Sequence, residues 1–205
     1  KPNFSYDKKT GAGEIEYTNY FLTDEFNDKA ESAVAGFKIL PSSFNWDYSM
    51  DGGGKLKDNI AYRGSTNSDG GHILAGADGY YTITLNTANN TATMVKYEGN
   101  VTNYGTIQIA GSFNEWADTP MLPYNTEGVE NHAWYYVMEV PAGDPIQFKF
   151  KIAGSWDTSW GYGAEDGAIN MYGKCDAGGK NIGLAEGKYV ISFNDITGAF
   201  SIVKL

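Results

Sequence analysis

The sequence predicts an all-β chain built as two tandem immunoglobulin-like β-sandwich modules, and three observations carry that expectation. Gly supplies 26 of the 205 residues and aromatic side chains 15%, a composition of short strands and tight turns rather than of long helices. Apolar and polar residues alternate with period two along several segments, the signature of half-buried strands. The chain also repeats itself, since Gly71 to Lys96 falls without a gap on Gly179 to Lys204 at an offset of 108.

The repeat places the elements in order. Tyr6 to Gly11 is similar to Tyr124 to Gly128, and each is followed by an aromatic-rich strand. Phe37-Lys38-Ile39 followed by Trp46-Asp47 matches Phe148-Lys149-Phe150 followed by Trp156-Asp157. Near the end, Gly79, Tyr81, Ile83, Asn86 and Val95-Lys96 match Gly187, Tyr189, Ile191, Asn194 and Val203-Lys204. In the second copy, strands are expected at 105–110, 133–140, 146–152, 188–194 and 199–204. Tyr135, Val137 and Glu139 alternate there with Tyr136, Met138 and Val140, and Phe148, Phe150 and Ile152 with Lys149 and Lys151. Asp195 to Gly198 reads as a hairpin turn, Pro141 to Pro145 as a second turn, and the Gly-rich stretch 153–187 as irregular and functional. The junction falls in Tyr97 to Gly105, giving modules at 1–98 and 99–205. Residues 1–10 hold nothing like Thr106 to Trp116, so the sequence is expected to be a piece of a longer protein that begins one strand into its first module.

Composition excludes several chemistries. Cys175 is the single cysteine, and His72 and His132 are the two histidines, too few and too far apart for a closed Cys/His zinc cage or a disulfide framework. A net charge of −10 argues against a nucleic-acid partner. No apolar run approaches the ~18 residues of a membrane span. No cofactor is expected.

Tryptophan in polar loops is the informative feature. A sugar ring has an apolar face of C–H groups and a rim of hydroxyls, so its sites combine flat aromatic platforms with a few fixed hydrogen-bonding groups. Trp116 lies in Gly-Ser-Phe-Asn-Glu-Trp, Trp156 in Gly-Ser-Trp-Asp, and Trp160 four residues later, all three expected as exposed rings. Trp134 opens an alternating strand and reads as structural.

The phrases GSFNEWADTPM, QFKFKIAGSWDTSWGYG and GGKNIGL resemble the starch- and glycogen-binding sandwich modules, including the glycogen-binding domain of AMP-activated protein kinase. The extended form is similar to the tandem modules of bacterial pullulanases and of the SusE/SusF-type outer-membrane starch-binding lipoproteins of the Bacteroidetes. That resemblance implies non-catalytic binding of starch or maltooligosaccharide at the cell surface, with Trp116 and Trp156 as platforms and Trp160 extending or replacing one. It further implies Lys149 or Lys151 as donor to the sugar hydroxyls, and the Asn181 amide as a further contact. The first copy carries Lys38, Trp46 and Tyr48 as a weaker site, with Phe44 as another candidate ring and Met50 where Trp160 would be. By the same resemblance the protein is a monomer on the outer membrane, held by a lipid upstream of this sequence, in company with glycan-importer components.

Besides a binding module for a different polysaccharide, three rival readings remain at this level. A glycosidase needs two carboxylates across a cleft, and Asp157, Glu165 and Asp166 crowd the second aromatic loop. A calcium-stabilised adhesion sandwich would use the loops at Asn67 to Gly70 and Asp157 to Asp166. A purely structural protein would bury its tryptophans.

Overall fold

The computed structural model describes residues 14–21, 78–86, 91–124 and 130–205. The chain divides into two compact units, one formed by residues 8–99 with 125–130, the other by residues 1–7, 100–124 and 131–205. The described residues are all-β, their one helical turn being the 3-10 turn Ser112–Asn114.

In the first of these units, β1 (Glu14–Phe21), β2 (Gly79–Asn86) and β3 (Thr91–Lys96) form an antiparallel sheet in the order β1-β2-β3. Tyr17 lies opposite Ile83, and Ile83 opposite Met94, so one row of buried apolar side chains crosses all three strands. Thr18, the next residue along β1, is buried as well and shares a hydrogen bond with Thr82 across the pair.

The other unit is a β-sandwich of two packed sheets. Its strands are β4 (Ile107–Gly111), β5 (Thr119–Pro120), β6 (Leu122–Pro123), β7 (Ala133–Val140), β8 (Ile146–Ile152) and β9 (Ser159–Gly161). They continue with β10 (Ala168–Ile169), β11 (Tyr172–Lys174), β12 (Asp176–Ala177), β13 (Ile182–Leu184), β14 (Gly187–Asn194) and β15 (Ala199–Lys204). One sheet runs β10-β13-β8-β4-β5, with β9 joined to β8 and β12 to β9; the other runs β11-β15-β14-β7-β6. Between them Phe150 stacks on Phe193 at 4.2 Å and meets Phe148 edge-on at 5.6 Å. Ile107, Ile109, Ile182, Ile191 and Phe200 fill the space around these rings. Each fully buried Phe contributes on the order of 1.5–3 kcal/mol of transfer free energy.

The expected strands at 133–140, 146–152 and 199–204 coincide with β7, β8 and β15, while the one expected at 105–110 begins two residues later. The stretch 153–187, expected to be irregular, instead contains β9 to β13. Gly there permits close backbone approach: a Cβ on Gly183 would lie 2.0 Å from the Gly167 carbonyl oxygen.

The sequence repeat has a counterpart in pairing. β7-β14-β15 reproduces β1-β2-β3 in order and register. Val140 faces Gly187 as Phe21 faces Gly79, and Tyr189 faces Lys204 as Tyr81 faces Lys96. The β14–β15 turn is held by Asn194, whose Oδ1 accepts the N–H groups of Ile196 and Thr197 at 3.1 Å each. Gly198 then takes φ +74° against the Cys175 carbonyl, a conformation and a clearance that suit Gly alone.

Candidate functional site

The site is built on the outer face of β8. Register decides which side chains reach it: Ile109 lies opposite Phe150 and Ile182 opposite Phe148, both pairs in the core, so Gln147, Lys149 and Lys151 point the other way. Two loops flank this face, residues 112–118 after β4 and residues 153–158 after β8.

The first loop is a tight device for presenting Trp116. Gly111 has no room for a side chain, since a Cβ would sit 2.3 Å from the Gln147 carbonyl oxygen. Ser112 Oγ accepts the Gln147 N–H at 3.0 Å, fastening the loop to β8. Asn114 Oδ1 accepts the Gly111 N–H at 2.9 Å, while its Nδ2 donates to the Ala117 carbonyl at 2.7 Å and Thr119 Oγ1 at 2.8 Å. This one amide holds together a turn in which Glu115 and Trp116 both take left-handed φ values, 55° and 62°. Each such non-Gly residue costs ~1–3 kcal/mol, and strain of this kind collects at binding sites.

The second loop brings Trp156 to the first. The two indoles lie 5.9 Å apart between centroids with their planes at 60°. Trp156 is 45% exposed. Lys151 Nζ sits 4.8 Å from its ring centroid, placing a cation over one face. Lys151 itself is only 2% exposed and pairs with Asp118, whose second oxygen accepts the Gly154 N–H at 2.6 Å. Those bonds hold the Asp118 carboxyl below the usual carboxylate range, the Lys151 contact contributing most.

Farther along β8 the surface turns polar. Lys149 is half-buried beside Ala110 of β4. Burial draws its ammonium below the ordinary lysine value, while Asp166 opposes that pull. Asn181 Nδ2 donates to Gln147 Oε1 at 3.0 Å, and its backbone N–H donates to Asp166 at 2.8 Å. Lys180 adds a 3.5 Å ion pair to Asp166. The Asp166 carboxyl is lowered, by the Asn181 N–H foremost. That is opposite to the raised value a glycosidase acid needs.

Among the expected residues, Trp116, Trp156 and Lys151 are brought together, Trp156 as the exposed ring and Trp116 half-buried rather than fully exposed, and Lys149 and Asn181 occupy the continuation of the same face. Two expectations need correction. Trp160 is not an exposed ring: β9 pairs with β8 so that Trp160 lies opposite Phe150, on the core side. It packs there against Phe193 and Tyr104, each 5.3 Å away. Lys151 is not presented to a ligand, because its ammonium is buried under Trp156 and engaged by Asp118. Trp134 is structural, as the alternation of β7 implies, with Nε1 donating to Asp195 at 2.8 Å. Lys38, Phe44, Trp46, Tyr48 and Met50 lie outside the described residues. Asp118 and Gln147 were not singled out in sequence, where nothing but proximity to Trp116 and Lys149 marks them.

Trp160→Ala is accordingly expected to act on stability. A Trp deleted from a packed core costs ~3–5 kcal/mol, so urea denaturation should shift far more than any sugar affinity measured on the folded fraction. A variant as stable as wild type would return Trp160 to the surface.

No protein-family model matches the chain, and no curated protein matches it in sequence. A crystal structure of SusF from Bacteroides thetaiotaomicron is similar to 71% of this chain at 13% identity, with a TM-score of 0.41. The chain covers 41% of that structure's length.

Among the described residues no three His, Cys, Asp or Glu side chains gather as a metal site. No helix among them is long and apolar enough to cross a membrane.

Proposed function

We propose that the protein is a non-catalytic α-glucan-binding protein whose site is the bent platform of Trp116 and Trp156. The observation that carries this reading is the pair of indoles, Trp156 exposed and Trp116 half-buried, that meet at 60° and 5.9 Å. Each plane suits the apolar face of one sugar, and the angle between them suits a chain that curves, as α-linked glucans do, better than a flat β-linked one. Lys149 supplies a donor beside the platform, and Gln147 and Asn181 supply amides at its far end. Asp118 and Asp166 are occupied as acceptors within the loops, which favours binding over catalysis.

The chain is read as two homologous modules, at 1–98 and 99–205, with a weaker site of Lys38, Trp46 and Tyr48 in the first. The repeated register of β1-β2-β3 and β7-β14-β15 supports the duplication. Single sites of this shallow kind bind weakly, and several on one polymer gain by effective concentration. From the motif resemblance, the protein would act as a monomer at the outer surface of the outer membrane. It would be anchored by a lipid upstream and work beside a glycan importer.

Affinity electrophoresis in gels containing amylopectin, xylan or β-glucan tests the reading. Retardation is expected in amylopectin alone, with no release of reducing ends from maltoheptaose. Equal mobility in all three gels would refute it.

A further inference from the structure

We propose that Asp118 is the positioning residue of this site, a carboxylate clamp that ties the loop bearing Trp116 to the loop bearing Trp156 and so sets the angle between the two rings. The inference rests on the α-glucan reading for its purpose, but its geometry stands alone. Asp118 follows Trp116 by two residues, and Gly154 precedes Trp156 by two. The Asp118 side chain joins these loops directly, one oxygen accepting from Lys151 Nζ and the other from the Gly154 N–H at 2.6 Å.

The three-way arrangement explains why a lysine is buried here. Lys151 is 2% exposed on the outer face of its sheet, where burial of an ammonium is costly unless a partner offsets it. Its carboxylate partner sits on one loop, and its ammonium lies 4.8 Å from the Trp156 ring of the other. Both tryptophans are therefore referred to a single charge pair fixed on β8. Without Asp118, the loop 153–158 loses its tie to the loop 112–118, and the two rings lose their common reference. Platforms bind in proportion to how well their geometry is set beforehand.

The test separates positioning from stability. Asp118→Ala alone leaves a buried ammonium without its carboxylate and is expected to destabilise the protein. The charge-balanced variant Asp118→Ala/Lys151→Met removes both partners, a change that proteins often tolerate. It should melt near wild type, yet lose the far-ultraviolet exciton couplet that two indoles this close produce. Its retardation in amylopectin should fall about tenfold, the scale of one lost stacking contact. If that variant does not fold, Asp118→Asn replaces it, because an amide can accept only one of the two bonds and should weaken the couplet. Either variant with an undiminished couplet overturns the clamp. The couplet is read without sugar, so it decides the clamp even where wild type is retarded in no gel, a result that would sink the glucan reading instead.

Discussion

Trp116→Ala/Trp156→Ala is expected to abolish retardation in amylopectin while leaving the fold intact. Each platform ring is worth ~1–3 kcal/mol by analogy with bases stacked on aromatic side chains, or roughly a 5- to 150-fold change in affinity. The rings touch each other at 5.9 Å, so the single-variant losses should not add. Trp156→Ala should be the more damaging, because it also uncovers the Lys151 ammonium that the indole screens. Trp156→Phe, which keeps a flat face over Lys151, should retain much of the binding. Stability should move little, since Trp156 is 45% exposed, Trp116 is half-buried, and neither ring belongs to the core cluster. Double-variant retardation equal to wild type would remove the platform, and with it the reason to place sugar on this face.

The pattern of what sequence reveals here follows from how local each determinant is. β7, β8 and β15 were legible because period-two alternation is written within seven or eight residues. The hairpin of β14 and β15 was legible because Asp195 to Gly198 carries its turn chemistry within four positions, whereas the Asn194 amide that holds the turn was not marked by the pattern. The exposure of Trp156 followed from a polar, Gly-containing loop. Trp160 stands in the same kind of sequence and ends in the core, because its direction is set by pairing with Phe150 ten residues earlier. Alternation correctly assigned Lys149 and Lys151 to one face, but it could not distinguish them. What separates the two lysines is the cover provided by Trp156 and by Asp118, and the latter reaches β8 from 33 positions away. β9 to β13 are two or three residues each. That is too short to show a period, and their Gly content signals backbone proximity only once the neighbouring carbonyl is known.

The largest expected loss of stability lies away from the site, at Asp195. His132 and Trp134 are buried, at 0% and 4% exposed. Both rings use the same carboxylate: His132 Nδ1 lies 2.6 Å from Oδ1 and Trp134 Nε1 donates to Oδ2 at 2.8 Å. The Asp195 N–H in turn donates to the His132 carbonyl at 3.0 Å. The first residue of the β14–β15 turn is thereby fixed to the segment leading into β7, a contact that closes one end of the five-stranded sheet. Asp195→Ala takes away the acceptor that both rings share. Each buried donor deprived of its partner costs ~1–3 kcal/mol, so about 2–6 kcal/mol is at stake, against a total stability of roughly 5–15 kcal/mol for a typical domain. Asp195→Asn keeps the shape and one acceptor oxygen, so it should lose about half as much. Urea denaturation followed by tryptophan fluorescence reads both variants, and Trp134 reports on the affected region. If Asp195→Ala unfolded within ~0.5 kcal/mol of wild type, the range of an ordinary surface substitution, the carboxylate would not be the keystone of this end of the sandwich.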